Sequence, residues 1–173
     1  MLLINLFGAP GAGKSTGAAY IFSQLKMAGV NAELVTEFAK DKVWEESKEA
    51  FNNQAYIFGK QYFRISRCEN KVDVIVTDSP LLLSLIYNTD SRLNEAFNDM
   101  VRNVFSSYNS LNYYIMRTKP YNLIGRNQTE EESNEIADEV LNLMLKEELK
   151  FVAIPGEIGG YDQIVLDILK HIN

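Results

Sequence analysis

Short apolar runs alternate along the chain with longer stretches in which apolar residues recur every three or four positions. The runs are Leu2–Phe7, Ala32–Val35, Asp73–Thr77, Tyr113–Met116 and Phe151–Ile154. Each is brief and mostly apolar rather than alternating, the pattern of parallel strands covered on both faces. The intervening stretches read as helices. Lys14–Ala28 stops at Gly29, a residue suited to a helix end. Phe51, Ala55, Phe58, Tyr62 and Ile65 mark the buried face of a helix over roughly 48–69, with Lys60, Gln61, Arg64 and Arg67 along its polar side. Another helix begins near Leu81. Thr129 and Glu132 have the spacing of a capping box, and Glu130 and Glu131 add negative charge to the same first turn. Ile136, Val140, Leu143 and Met144 then give that helix one apolar face to about Leu149. Tyr161–Ile172 forms the last helix. Alternating strands and helices, without internal repeats, predict right-handed crossovers and a three-layer α/β fold, a five-stranded parallel sheet with helices on both sides. Ligands of such sheets sit over the carboxyl ends of the strands.

A length of 173 residues suits a single domain spanning 1–173, and 46% hydrophobic with 23% charged residues is the composition of a globular protein. No apolar run approaches the ~20 residues of a membrane span, and Leu2–Phe7 lacks the length and flanks of a signal peptide, so no membrane is expected and the expected location is the cytoplasm. Cys68 is the single cysteine, and no Cys/His cluster has metal-ligand spacing; Cys68 reads as a helix residue rather than a nucleophile. The net charge of −6 and isoelectric point near 4.9 leave no global field to attract a polyanion. Any contact with DNA would therefore be local.

Directly after the first run comes Gly8-Ala9-Pro10-Gly11-Ala12-Gly13-Lys14-Ser15, followed by Thr16. This is a phosphate-binding loop. Its glycines let backbone N–H groups curl inward, the following helix adds its partly positive end, Lys14 reaches terminal phosphates, and Ser15 can hold Mg2+. Chemistry on a nucleoside triphosphate follows. Other polar groups fall at or just after strand ends. Asp78 is placed to hold Mg2+ beside the loop or, alternatively, to cap the helix near Leu81 with Ser79-Pro80. Glu37 is either a general base facing a substrate hydroxyl or a surface carboxylate. Arg117 ends the fourth strand and Arg126 lies nine residues on; guanidinium groups gather around a transferring phosphoryl group. Residues 117–128, with Gly125 and a capped helix behind, read as a mobile lid or as an ordinary surface loop. Arg64 and Arg67 either bind a substrate phosphate or form a solvated helix face.

Gly8–Thr16, Glu37-Phe38-Ala39-Lys40, Asp78-Ser79-Pro80 and Arg117…Arg126 together resemble the P-loop nucleoside and nucleotide kinases, in particular the ribosylnicotinamide-kinase-like group. The stretch Lys119 to Glu132 is similar to kinases found in bacteriophage genomes, some of which act on hydroxymethylated pyrimidines in DNA. This resemblance implies ATP and Mg2+ as cofactors and transfer of the γ-phosphoryl group to a small nucleoside- or nucleotide-like acceptor. It also implies Lys14, Glu37, Asp78, Arg117 and Arg126 as catalytic residues, and an acceptor site of Glu37, Phe38, Gln61, Arg64 and Arg67. A segment resembling an adenylyltransferase is not expected. Deoxynucleoside kinases and thymidylate kinases place an arginine near the aspartate, where this chain has Ser79-Pro80, so the choice between Glu37 and Asp78 as base stays open. A kinase of a base in DNA, with a local rim of Lys60, Arg64 and Arg67, is one alternative. A nucleotide-dependent regulatory ATPase is another.

Overall fold

The computed structural model of the protein describes residues 1–122 and 129–172. Five strands, β1 (Leu2–Phe7), β2 (Ala32–Val35), β3 (Val74–Thr77), β4 (Ser110–Met116) and β5 (Phe151–Pro155), form one sheet in the order β2-β3-β1-β4-β5. Every pairing is parallel, as the alternation predicts. The chain leaves β1 toward β2 and β3, then crosses back to β4 and β5, so the order reverses beside β1. A crevice opens at such a switch point, beyond the carboxyl ends of the strands.

Helices α1 (Lys14–Met27) and α7 (Ile158–Ile172) cover one face; α3 (Gln54–Ser66), α5 (Glu95–Ser106) and α6 (Glu130–Lys146) cover the other. The pleat of β1 divides the core. Leu2, Ile4 and Leu6 meet Ile21 and Leu25 of α1 and Ile164 and Ile168 of α7. Leu3 and Phe7 meet Phe58, Phe105 and Met144, with the Phe7 and Phe105 rings edge to face at 6.2 Å. Two short helices, α2 (Phe38–Trp44) and α4 (Ser84–Tyr87), follow the carboxyl ends of β2 and β3.

The observed boundaries differ from expectation for identifiable reasons. β4 starts at Ser110, three residues early, because its first half is polar: Asn112 accepts a hydrogen bond from Asn5 across the sheet at 3.0 Å. The expected 48–69 helix is split. A 3-10 turn over Lys48–Asn52 ends at Asn53, whose side chain caps α3 by accepting from the Tyr56 N–H at 3.0 Å. The inward face of α3 is Gln54, Ile57, Phe58, Gln61 and Ile65, and Tyr62 is 37% exposed; the face is rotated because two glutamines point inward. The helix expected near Leu81 is a 3-10 turn over Leu81–Leu83 running into α4. α7 begins at Ile158, where Gly159 and Gly160 obscured it; a Cβ on Gly160 would lie 2.2 Å from the Pro155 carbonyl oxygen. The capping box is present: Thr129 N–H donates to Glu132 at 2.7 Å and Glu132 N–H to Thr129 Oγ1 at 3.2 Å.

Candidate functional site

Between β1 and α1 the backbone takes positive φ at Gly8 (139°), Gly11 (80°) and Gly13 (100°). Side chains rarely adopt these values, and a Cβ on Gly8 would also sit 2.7 Å from the Ile115 carbonyl oxygen. Lys14 folds back over the turn, its Nζ donating to Gly8 O at 2.7 Å and Ala9 O at 3.0 Å. The first turn of α1 holds no acidic residue and no side chain caps it. Its N–H groups and positive end are thus offered to an anion. Pro10, Gly11, Gly13, Lys14, Ser15 and Thr16 line a cavity of about 480 Å3; Ala9 and Ala12 are buried behind it, Ala12 within the core.

Beside this loop the cavity is walled by the two carboxylates expected from the sequence. Asp78, just after β3, is 3% exposed and accepts the Glu37 N–H at 2.9 Å through Oδ1. Glu37, two residues beyond β2, is half-buried. Burial pushes its carboxyl above the usual glutamate range; Lys14 opposes that shift and the negative charge of Asp78 adds to it. Gln61 holds these strand ends together, accepting the Phe38 N–H at 2.8 Å and donating to Thr77 Oγ1 at 3.4 Å. Thr77 Oγ1 in turn accepts the Ser79 N–H at 3.2 Å. Gln61 lines the cavity as expected, but both ends of its amide fasten the scaffold under the carboxylates.

Beyond the carboxylates apolar Val43, Phe51, Ile57 and Leu83 share the cavity wall with polar Lys40, Tyr87 and Thr89. On the same wall buried Gln54 donates from Nε2 to buried Ser84 Oγ at 3.1 Å. Burial, with the negative charges of Glu37 and Glu139, raises the Tyr87 hydroxyl above the usual tyrosine range. Gln54, Ser84 and Tyr87 escaped sequence reasoning. The three- and four-residue spacing of 54, 57 and 61 was the available signal, masked by the polarity of two of them.

Several expected site residues are elsewhere. The Phe38 ring is buried against Tyr56, 5.4 Å between centroids, under the Arg64 guanidinium at 5.1 Å. Arg64 donates to Thr36 O at 3.2 Å and pairs with Asp41; fastening α3 to the end of β2 uses its charge. Arg67 follows the carboxyl end of α3, remote from the strand ends that carry the site, and donates to Arg64 O at 3.3 Å. Arg117 is bound to α6, by Asn134, by Ser133 Oγ at 3.4 Å and by Glu130 at 3.5 Å, with the Tyr121 ring 5.4 Å away. Phe38, Arg64, Arg67 and Arg117 do not line the cavity. Arg126, Gly125 and the rest of 123–128 from the expected lid lie outside the described residues. Cys68 is buried just beyond α3.

Among the described residues no cluster of three or more His, Cys, Asp or Glu could hold a metal, and no helix is long and apolar enough to cross a membrane. A family model described as an AAA domain matches residues 3–161. No curated protein matches the chain.

Proposed function

The chain belongs to the AAA domain family of P-loop NTPases, and from that premise we propose that it is an ATP- and Mg2+-dependent kinase, acting as one domain over 1–173, that phosphorylates a hydroxyl of a small nucleoside- or nucleotide-like acceptor. The observation that carries this reading is that the cavity does not end at the phosphate loop. A hydrolase needs room for a water, whereas this cavity continues past Glu37 and Asp78 to a further compartment in which Val43, Phe51, Ile57 and Leu83 are mixed with Lys40, Tyr87, Thr89 and the Gln54–Ser84 pair. The choice of acceptor draws on the resemblance of Glu37-Phe38-Ala39-Lys40 and its neighbours to the ribosylnicotinamide-kinase-like group.

Roles follow from position. Lys14 and the N–H groups around Gly11 and Gly13 bind the phosphates. Ser15 and Asp78 would hold Mg2+: both offer hard oxygen, Asp78 is anchored through one carboxylate oxygen only, and Mg2+ keeps most of its waters and asks few protein ligands. Such an ion would supply positive charge to offset that of the bound phosphates. Glu37 is the base. The acceptor oxygen bonds to the γ-phosphorus as the bond to the ADP oxygen breaks, and the acceptor's proton passes to the Glu37 carboxylate, whose raised pKa suits it to take one. Lys60, Arg64 and Arg67, the rim expected for a base in DNA, do not line the cavity.

The test is phosphate transfer from γ-labelled ATP to a panel of nucleosides, nucleotides and DNA carrying hydroxymethylated bases. Label in one acceptor, with Glu37→Gln inactive, is the expected result. Release of inorganic phosphate alone, at a rate indifferent to every acceptor, would replace this reading with a regulatory ATPase.

A further inference from the structure

A loop that presents N–H groups to an anion must turn its carbonyl oxygens away and satisfy them elsewhere. Most of this is done locally. Gly8 O and Ala9 O accept from Lys14, Ala9 O also accepts the Ala12 N–H at 3.2 Å, and Gly13 O accepts the Gly17 N–H at 2.8 Å, with the Tyr161 hydroxyl of α7 added at 3.0 Å. Pro10 O has no local donor among the described residues. It accepts from Ser133 Oγ at 2.7 Å, a residue 123 positions away in the first turn of α6. Ser133 is wholly buried although the three residues before it are exposed glutamates. A serine in a helix ordinarily bonds its own preceding turn or faces water; this one leaves its helix to reach the loop.

The direction of that bond is fixed by the Pro10 carbonyl, which has no proton to give, and a neighbour holds the serine oxygen in place. Arg117 Nη1 donates to the same oxygen at 3.4 Å, and a guanidinium has no lone pair to accept with. The serine oxygen accepts from Arg117 while its single proton goes to Pro10, so the guanidinium helps to hold the hydroxyl where it meets the loop. Asn134, Glu130 and the Tyr121 ring fix Arg117 in place.

We propose that Ser133 is a positioning residue of the phosphate site, holding the Pro10 carbonyl off the bound phosphates, and that Arg117 acts through it by orienting its hydroxyl rather than by touching the transferred group. The inference rests on nucleotide binding by the loop but not on any acceptor. Equilibrium binding of ATP and of tripolyphosphate, both with Mg2+, to the full chain tests it. Ser133→Ala is expected to raise the Kd of both by the same factor, about 3–10-fold for one lost hydrogen bond, leaving kcat at saturating ATP and the acceptor KM within twofold. Equal loss for tripolyphosphate marks the effect as one on phosphates, not on the base. Arg117→Met, a change at a more exposed position, is expected to raise the same Kd by a smaller factor, and to add nothing in the Ser133→Ala background. Wild-type affinity in Ser133→Ala with only a lower melting temperature would reduce the serine to a structural contact and overturn the proposal. Full additivity of the two substitutions would overturn the part assigned to Arg117. Failure of the unaltered chain to bind either ligand would instead remove the function reading beneath both.

Discussion

The two ends of the cavity are built in different ways. At the phosphate end the working groups are backbone N–H groups and one lysine, all from a run of nine consecutive residues. Its shape depends on three glycines with positive φ and on carbonyls held from behind. At the acceptor end the working groups are side chains from α2, α3, α4 and the turns after β2 and β3, gathered from residues 37 to 89. A substrate part common to all nucleoside triphosphates is met mostly by backbone, which substitutions reach indirectly, through glycines or through the side chains that hold its carbonyls. The variable part is met by side chains, which can be exchanged singly. Substitutions should therefore fail differently at the two ends, and four of them probe the contrast.

The largest loss is expected for Lys14→Ala. The side chain contacts loop carbonyls and the cavity rather than the core, so the fold should survive while transfer falls by about 10³-fold or more. Circular dichroism and a transfer assay check the two halves of that statement; normal turnover would end the kinase assignment.

This difference in construction also explains what was legible in the sequence. The phosphate loop is local, so eight letters in the right strand–helix setting were enough to find it. The sheet was legible because strands buried on both faces are apolar throughout, and it became uncertain where they were not, as at Ser110 and Asn112 of β4. The acceptor end was only half legible. Glu37 and Asp78 were marked by the rule of strand ends, but Gln54 and Ser84 come together through packing of α3 against α4, which no spacing encodes. Charge misled in the opposite direction. Arg64 and Arg117 resembled substrate groups and are instead paired with Asp41 and Glu130; a sequence shows a cation but not its partner. Ser133 and Tyr161, which hold loop carbonyls from α6 and α7, carry no signal at all.

Glu37→Gln comes next. Loss of a general base lowers kcat by about 10²–10⁴-fold with ATP affinity unchanged. In the unaltered protein kcat/KM should decline as pH falls through a value above the ordinary glutamate range, since burial raises this carboxyl. Stability should move the other way. The folded chain binds the Glu37 proton more tightly than the unfolded chain does, so this group favours folding below the unfolded value and that favour is lost as pH rises through the folded one. At pH 7 the charge is a burden, and Glu37→Gln should melt higher than wild type, the gap closing toward about pH 4. A variant inactive and less stable at pH 7 would make Glu37 structural, and the same kinetic pattern from Asp78→Asn alone would make Asp78 the base.

Gly8→Ala tests the backbone end with a single methyl group. Positive φ and the Ile115 carbonyl 2.7 Å from the new Cβ each oppose it. Strain of about 1–3 kcal/mol, relieved by a shift of the loop, should weaken ATP by about 10–10²-fold while acceptor KM at saturating ATP stays near wild type. Equal loss of both would mean that the ends are not separable.

The smallest effect expected is at Gln54, and it bears most directly on the acceptor. The Gln54 amide spends one hydrogen on Ser84 Oγ and has no second partner among the described residues, while its side chain lines the acceptor end of the cavity. An acceptor ring carrying a donor or acceptor atom on its edge would take the remaining positions. Gln54→Leu keeps the size of the side chain and removes both polar atoms. One neutral hydrogen bond is worth about 0.5–1.5 kcal/mol, so the acceptor KM should rise about 3–10-fold. ATP affinity should not change, because the residue stands apart from the loop, and an acceptor analogue lacking the matching edge atom should lose nothing further in the variant. If KM for the acceptor is unmoved and Gln54→Leu merely lowers the melting temperature, the Gln54–Ser84 pair is a strut between α3 and α4. The polar edge of the acceptor must then be read elsewhere on the wall.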